Sequence, residues 1–147
     1  MASYDGDMAL RDFEILEHPA DIGFRAFADS LPELFARAAV AMLSIAGDPL
    51  AAEPRERYPL HVESGDREAL LVDWLSEVLY WFDGKRIAFR EFRVTGFQDT
   101  AIDATAIGEP RDQERHRSRL IVKAVTYHQL KIERREGLWV AEVYLDI

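Results

Sequence analysis

Leu70-Leu-Val-Asp-Trp-Leu-Ser-Glu-Val-Leu-Tyr-Trp-Phe-Asp-Gly-Lys-Arg-Ile-Ala-Phe-Arg-Glu-Phe-Arg-Val-Thr-Gly-Phe97 changes its period at Gly84. Before that glycine, Leu70, Leu71, Trp74, Leu75, Val78, Leu79 and Phe82 recur at the three- and four-residue spacing of one helical face. Beyond it the apolar residues follow the two-residue period of a strand. The stretch predicts a helix that begins near Asp66 and ends at Asp83-Gly84, followed by a strand over 86–97.

Working towards the C-terminus, the two-residue period continues over 101–107, 120–132 and 138–147, with Gly137 in a hairpin turn between the last two strands. The polar run 108–118 reads as an exposed loop. Working towards the N-terminus, Tyr58, Leu60 and Val62 alternate with His61 and Glu63 in a further strand. A first helix starts at Ser30-Leu-Pro-Glu33, where Ser30 can cap the backbone and Glu33 can reach back to it. Pro32 costs nothing in a first turn. Leu31, Leu34, Phe35, Ala38, Ala39, Met42 and Leu43 form its apolar face, and Gly47 and Pro49 stop it. Phe13–Glu17 reads as a strand. After the loop His18-Pro-Ala-Asp-Ile-Gly23, a second strand is marked by Phe24, Ala26 and Ala28. The order is two strands, helix, strand, helix, four strands. Strands clustered at the end argue against a βαβ repeat. The expected fold is α+β, with a mostly antiparallel sheet or barrel and two amphipathic helices inserted between strands.

The 147 residues suit one domain, expected over residues 13–147, with residues 1–12 as a short mobile tail. Absence of cysteine removes disulfides, thiolate zinc sites and thiol nucleophiles, and fits a reducing compartment. There is no 18-residue apolar run, and the first residues lack the features of a signal peptide. The expected location is the cytoplasm. A net charge of −9 repels phosphate backbones, so direct nucleic-acid binding is not expected.

Few residues could carry chemistry. Asp21 sits in a loop, where an aspartate either caps its own backbone or serves a ligand. The sequence stops at Asp146-Ile147 straight after a strand, which sets the Ile147 α-carboxylate beside the Asp146 side chain. That is either a solvated end or an oxygen site for a hard cation such as Ca²⁺ or Mg²⁺. Lys123, expected in the middle of a long strand, either faces solvent or points at an anionic site. No phosphate loop, serine elbow or histidine pair with ligand spacing is present. The arginine-rich run 111–119 also holds Asp112 and Glu114, and reads as a solvated loop.

Several segments nevertheless match one family, in order along the chain. They are His18-Pro-Ala-Asp-Ile-Gly23, Leu31-Pro-Glu-Leu-Phe-Ala-Arg-Ala-Ala39 with Met42, Leu70 to Tyr80, Phe89-Arg-Glu-Phe92, Val122-Lys-Ala-Val-Thr-Tyr-His128 and Leu145-Asp-Ile147. Together they resemble the archease family over nearly all of residues 13–147. Pro19 stands where the family usually has Thr, and Ile22 where it often has Val. The resemblance implies a strand-rich domain with helical insertions that binds a divalent cation. It also implies a protein partner, an RtcB-type RNA ligase that works through a guanylylated histidine in tRNA splicing and RNA repair. The accessory protein would speed that guanylylation and permit multiple turnover, with no catalysis of its own. By motif match Asp21, Asp146 and Ile147 become metal ligands and Lys123 a functional lysine. The competing expectations are a phosphoesterase using Asp21, Asp146 and Lys123, and a chaperone-like binding module for RNA-modifying enzymes with a structural cation.

Overall fold

Side-chain caps start both helices where the sequence places them. In the computed structural model, which describes residues 12–17 and 21–147, helix α1 covers Leu31–Ala46 and helix α2 covers Arg67–Asp83. The Ser30 hydroxyl accepts the Glu33 amide at 3.3 Å, and the Asp66 carboxylate accepts the Ala69 amide at 2.8 Å. The Glu33 carboxylate meets the Ser30 hydroxyl rather than its backbone amide. The expected tail, residues 1–12, lies outside the described residues except for Asp12, and so does the stretch His18-Pro19-Ala20.

Among the described residues there are seven strands: β1 Phe13–Glu17, β2 Asp21–Ala28, β3 Glu56–Glu63, β4 Ile87–Gln98, β5 Ala101–Pro110, β6 Ala124–Arg135 and β7 Leu138–Asp146. They form two antiparallel sheets, ordered β1-β2-β7-β6 and β3-β5-β4, with no closed barrel. The α+β expectation holds, with its sheet-or-barrel choice decided for two open sheets. Pro59 lacks an amide hydrogen to donate, and it sits on the edge strand β3, where one side of the backbone faces no neighbour.

One apolar core joins all layers. Helix α1 packs on β2 and β4, and α2 on β6 and β3. Trp74 is fully buried and donates its indole N–H to the Phe35 carbonyl at 2.9 Å, tying α2 to α1. Strict alternation would put Phe89 and Phe92 on opposite faces of β4. A bulge between Phe89 and Glu91 turns both inward, with ring centroids 5.1 Å apart.

The four-stranded sheet carries an ion-pair row that fixes its register. Arg25 on β2 bonds Glu14 on β1 and, at 2.8 Å, Glu142 on β7. Glu142 also accepts Arg135 of β6 at 3.2 Å. Burial disfavours the Glu142 anion, but the bonds from Arg25 and Arg135 outweigh it and hold its pKa below the ordinary range. A one-residue slip would break the whole row.

Two expectations about the later strands need correction. Strand β6 begins at Ala124, not at 120, and runs to Arg135. The amides of Arg119 and Leu120 instead bond the carbonyls of Ala46 and Ile45, at 2.9 and 3.3 Å. They satisfy carbonyls left open at the end of α1, which withholds this segment from the sheet. Secondly, the run 108–118 is not a freely solvated loop: β5 extends into it to Pro110, and Glu109 and His116 are buried.

Candidate functional site

Asp21 is the first residue of β2 and Asp146 the last of β7, and the register sets them directly opposite each other. Residues opposed in this way on antiparallel strands have Cβ atoms about 4.5–5.5 Å apart, on the same face. Asp146 is also opposite Ala124, the first residue of β6. The Lys123 amide donates to the Asp146 carbonyl at 2.8 Å. Three neighbouring strands therefore bring Asp21, Asp146, Ile147 and the Lys123 backbone to one end of the sheet, from positions more than a hundred residues apart in sequence. Asp21 is half-buried, while Asp146 and Ile147 are exposed.

Gly23 supports this edge. A Cβ there would lie 2.6 Å from two Tyr144 ring carbons, so only glycine lets the Tyr144 ring lie across β2 opposite it. The glycine of the loop motif therefore has a packing role two residues from Asp21.

Lys123 differs from its expected position. It precedes β6 rather than standing in mid-strand, and its exposed side chain lines an open groove of about 460 Å³ with Ser76, Tyr80 and Asp83 of α2. Among the described residues it has no carboxylate within ion-pair distance. The structure thus gathers Asp21, Asp146 and Ile147, and sets Lys123 beside them but turned to the α2 groove. Among the described residues no three His, Cys, Asp or Glu side chains converge into a ready metal cage.

A second polar cluster was not legible in the sequence. The buried Glu109 carboxylate accepts the Glu53 amide at 2.9 Å, Arg115 at 2.9 Å and His116 Nε2–H at 2.8 Å. His116 Nδ1 accepts the Asp112 amide at 2.7 Å, which assigns the ring proton to Nε2. The bond from Arg115 acts first; burial opposes ionisation, and the Glu53 amide and His116 add to the lowering, which brings Glu109 down to about 2. This cluster anchors the 111–118 segment to β5. Its only sequence signal was a lone acid ahead of an arginine-rich run.

The family model described as the Archease protein family matches residues 13–147. Protein archease of Methanopyrus kandleri is 38% identical over 138 residues, covering 92% of this chain and 99% of that one. Protein archease of Pyrococcus furiosus is 37% identical over 142 residues, covering 94% and 100%. The solution structure of a Methanobacterium thermoautotrophicum protein superposes with a TM-score of 0.79 at 38% identity, covering 92% of this chain and 98% of that one. A Thermotoga maritima crystal structure, described as an archease and possible chaperone, gives a TM-score of 0.62 at 21% identity, covering 90% and 94%, and shows likeness of fold alone.

Proposed function

The chain belongs to the archease family, and from that premise we propose that it is a metal-binding accessory factor of an RtcB-type RNA ligase, acting in tRNA splicing and RNA repair. In this reading it promotes guanylylation of the ligase and multiple turnover, works in the cytoplasm and catalyses no reaction of its own. The observation that carries the reading is the pairing of Asp21 with Asp146. Two carboxylates opposite each other across a sheet repel, and a cation between them turns that cost into a gain.

The donor set fits a hard cation. Asp21, Asp146 and the Ile147 carboxylate offer oxygen alone, the chemistry that suits Ca²⁺ or Mg²⁺ rather than a soft metal. Three such ligands at an open edge leave positions for water or for a partner's groups. When bound, the cation supplies neutralisation of phosphate charge. Asp21, paired with Asp146 at the end of the sheet, holds the ligand geometry, and the more exposed Asp146 and Ile147 present it outward. Lys123, at the rim of the α2 groove, contacts a phosphate oxygen or a partner carboxylate as a mobile point charge.

The test is multiple-turnover ligation by the cognate ligase with GTP and Ca²⁺ or Mg²⁺. Wild-type protein raises product well beyond one equivalent of ligase, while Asp146→Ala and Lys123→Ala, folded by circular dichroism, do not. The second reading, a chaperone-like module with a structural cation, requires the metal-ligand variants to lose stability and partner binding together.

A further inference from the structure

Besides the Lys123 groove, an open pocket of about 470 Å³ is lined by Arg86, Arg111, Gln113, His116, Arg117 and Ser118. That volume is within the ordinary range for small-ligand sites. Its charge contrasts with that of the molecule as a whole, whose net charge is −9.

Arg111 is fixed in place. Its side chain is only 6% exposed. It donates to the Phe82 carbonyl at the end of α2 and to the Ser118 hydroxyl, each at 3.0 Å, and lies over the Phe82 ring. Asp83 is 3.7 Å away, and the buried Nε makes no hydrogen bond among the described residues. Arg86 and Arg117 are exposed, and among the described residues neither has a carboxylate within ion-pair distance. Three guanidinium groups thus line one pocket; of the nearby carboxylates, Asp83 is 3.7 Å from Arg111, and Glu109, behind His116, is already bonded to Arg115 and His116. Burial first, and then the charge of Arg86, hold Arg111 below its ordinary pKa. Arg86 also has φ of 61°, a left-handed conformation that a non-glycine residue adopts at a cost, and its carbonyl accepts the Arg111 amide at 2.8 Å.

We propose that Arg86, Arg111 and Arg117 form a binding site for the phosphate groups of a small phosphorylated ligand, of nucleotide or pyrophosphate size. Planar guanidinium forks match phosphate oxygens in pairs, and the partly buried Arg111 charge is screened less by water than a surface one. A small anion meets this local field. A long polyanion meets the repulsion of the whole acidic surface as well. The assignment is independent of the ligase reading and of the Asp21–Asp146 edge.

Calorimetric titration with pyrophosphate, GTP and guanosine tests it, in buffer with EDTA so that cation-bridged binding at Asp21 and Asp146 is absent. Pyrophosphate and GTP saturate one site, and guanosine does not bind. Arg117→Ala and Arg86→Gly each weaken binding roughly tenfold, the effect of losing one charge-assisted contact. Glycine adopts the left-handed backbone freely, so Arg86→Gly keeps or raises Tm while losing affinity. Arg117→Ala removes a side chain that makes no ion pair among the described residues, which guards against a folding artefact. No saturable binding, wild-type affinity in both variants, or guanosine binding as well as GTP overturns the proposal. Tighter binding of a 5′-phosphorylated oligoribonucleotide than of pyrophosphate overturns it in favour of an RNA site.

Discussion

Asp21 and Asp146 owe their meeting to strand register, and substitutions there separate a ligand role from a structural one. In cation-free buffer, Asp21→Asn or Asp146→Asn relieves like-charge repulsion and stabilises the fold by about 0.2–1 kcal/mol. With Ca²⁺ at a hundred times its Kd, wild type gains about 2.7 kcal/mol and the variants gain little. Thermal melts with and without Ca²⁺ check this, and equal gains in all three proteins contradict it. Gly23→Ala is a second test at this scale, because its Cβ would press on the Tyr144 ring. It costs about 1–3 kcal/mol by urea unfolding, as for other overpacked sites. Asp21 and Asp146 became candidates through the ordered family resemblance, since each local motif alone also has a bland reading, and their pairing across β2 and β7 was not legible from either. Nor was the side-chain direction of Lys123, because it depends on where β6 begins, which the C-terminus of α1 decides.

At the scale of elements, both helices and all seven strands were legible from period and caps, and the errors fell at ends. Leu120 and Ile121 look like strand residues, but neighbouring amides serve the last carbonyls of α1. Glu109 looks like a loop acid, but it is buried with bonds from Arg115 and His116 of the folded-back segment and from the distant Glu53 amide. Such contacts leave no periodic trace. The Glu109 cluster makes stability depend on acid. Its folded pKa is about 2 against an ordinary 4.5, so the unfolded chain takes up the proton first. The stabilisation is present above pH 4.5 and is lost as pH falls from 4.5 towards 2. Melts of wild type and Glu109→Gln therefore differ most near neutrality and converge in this window. A difference that stays constant down to the lower limit shows that the cluster does not couple to the proton.

For the whole molecule, patterning gave the α+β class but left sheet and barrel undecided. Alternation tells which face of a strand is buried and says nothing of which strands are neighbours. No described helix is long and apolar enough to cross a membrane. The net charge of −9 has a direct consequence: the protein alone gives no salt-sensitive mobility shift with tRNA at physiological salt, since the counterion-release term is nearly absent. A shift that weakens with added salt contradicts this. On the proposed reading, work on RNA runs through a protein partner, with the β2 and β7 ends that carry Asp21 and Asp146 as the cation-binding face. The most direct measurement of that account is the rate of guanylylation of the cognate ligase with GTP and a divalent cation, with and without this protein. The account predicts that wild type raises the rate and that Asp21→Asn and Asp146→Asn, equally folded, leave it at the level of ligase alone. An unchanged rate with wild type, or full stimulation by both variants, contradicts it.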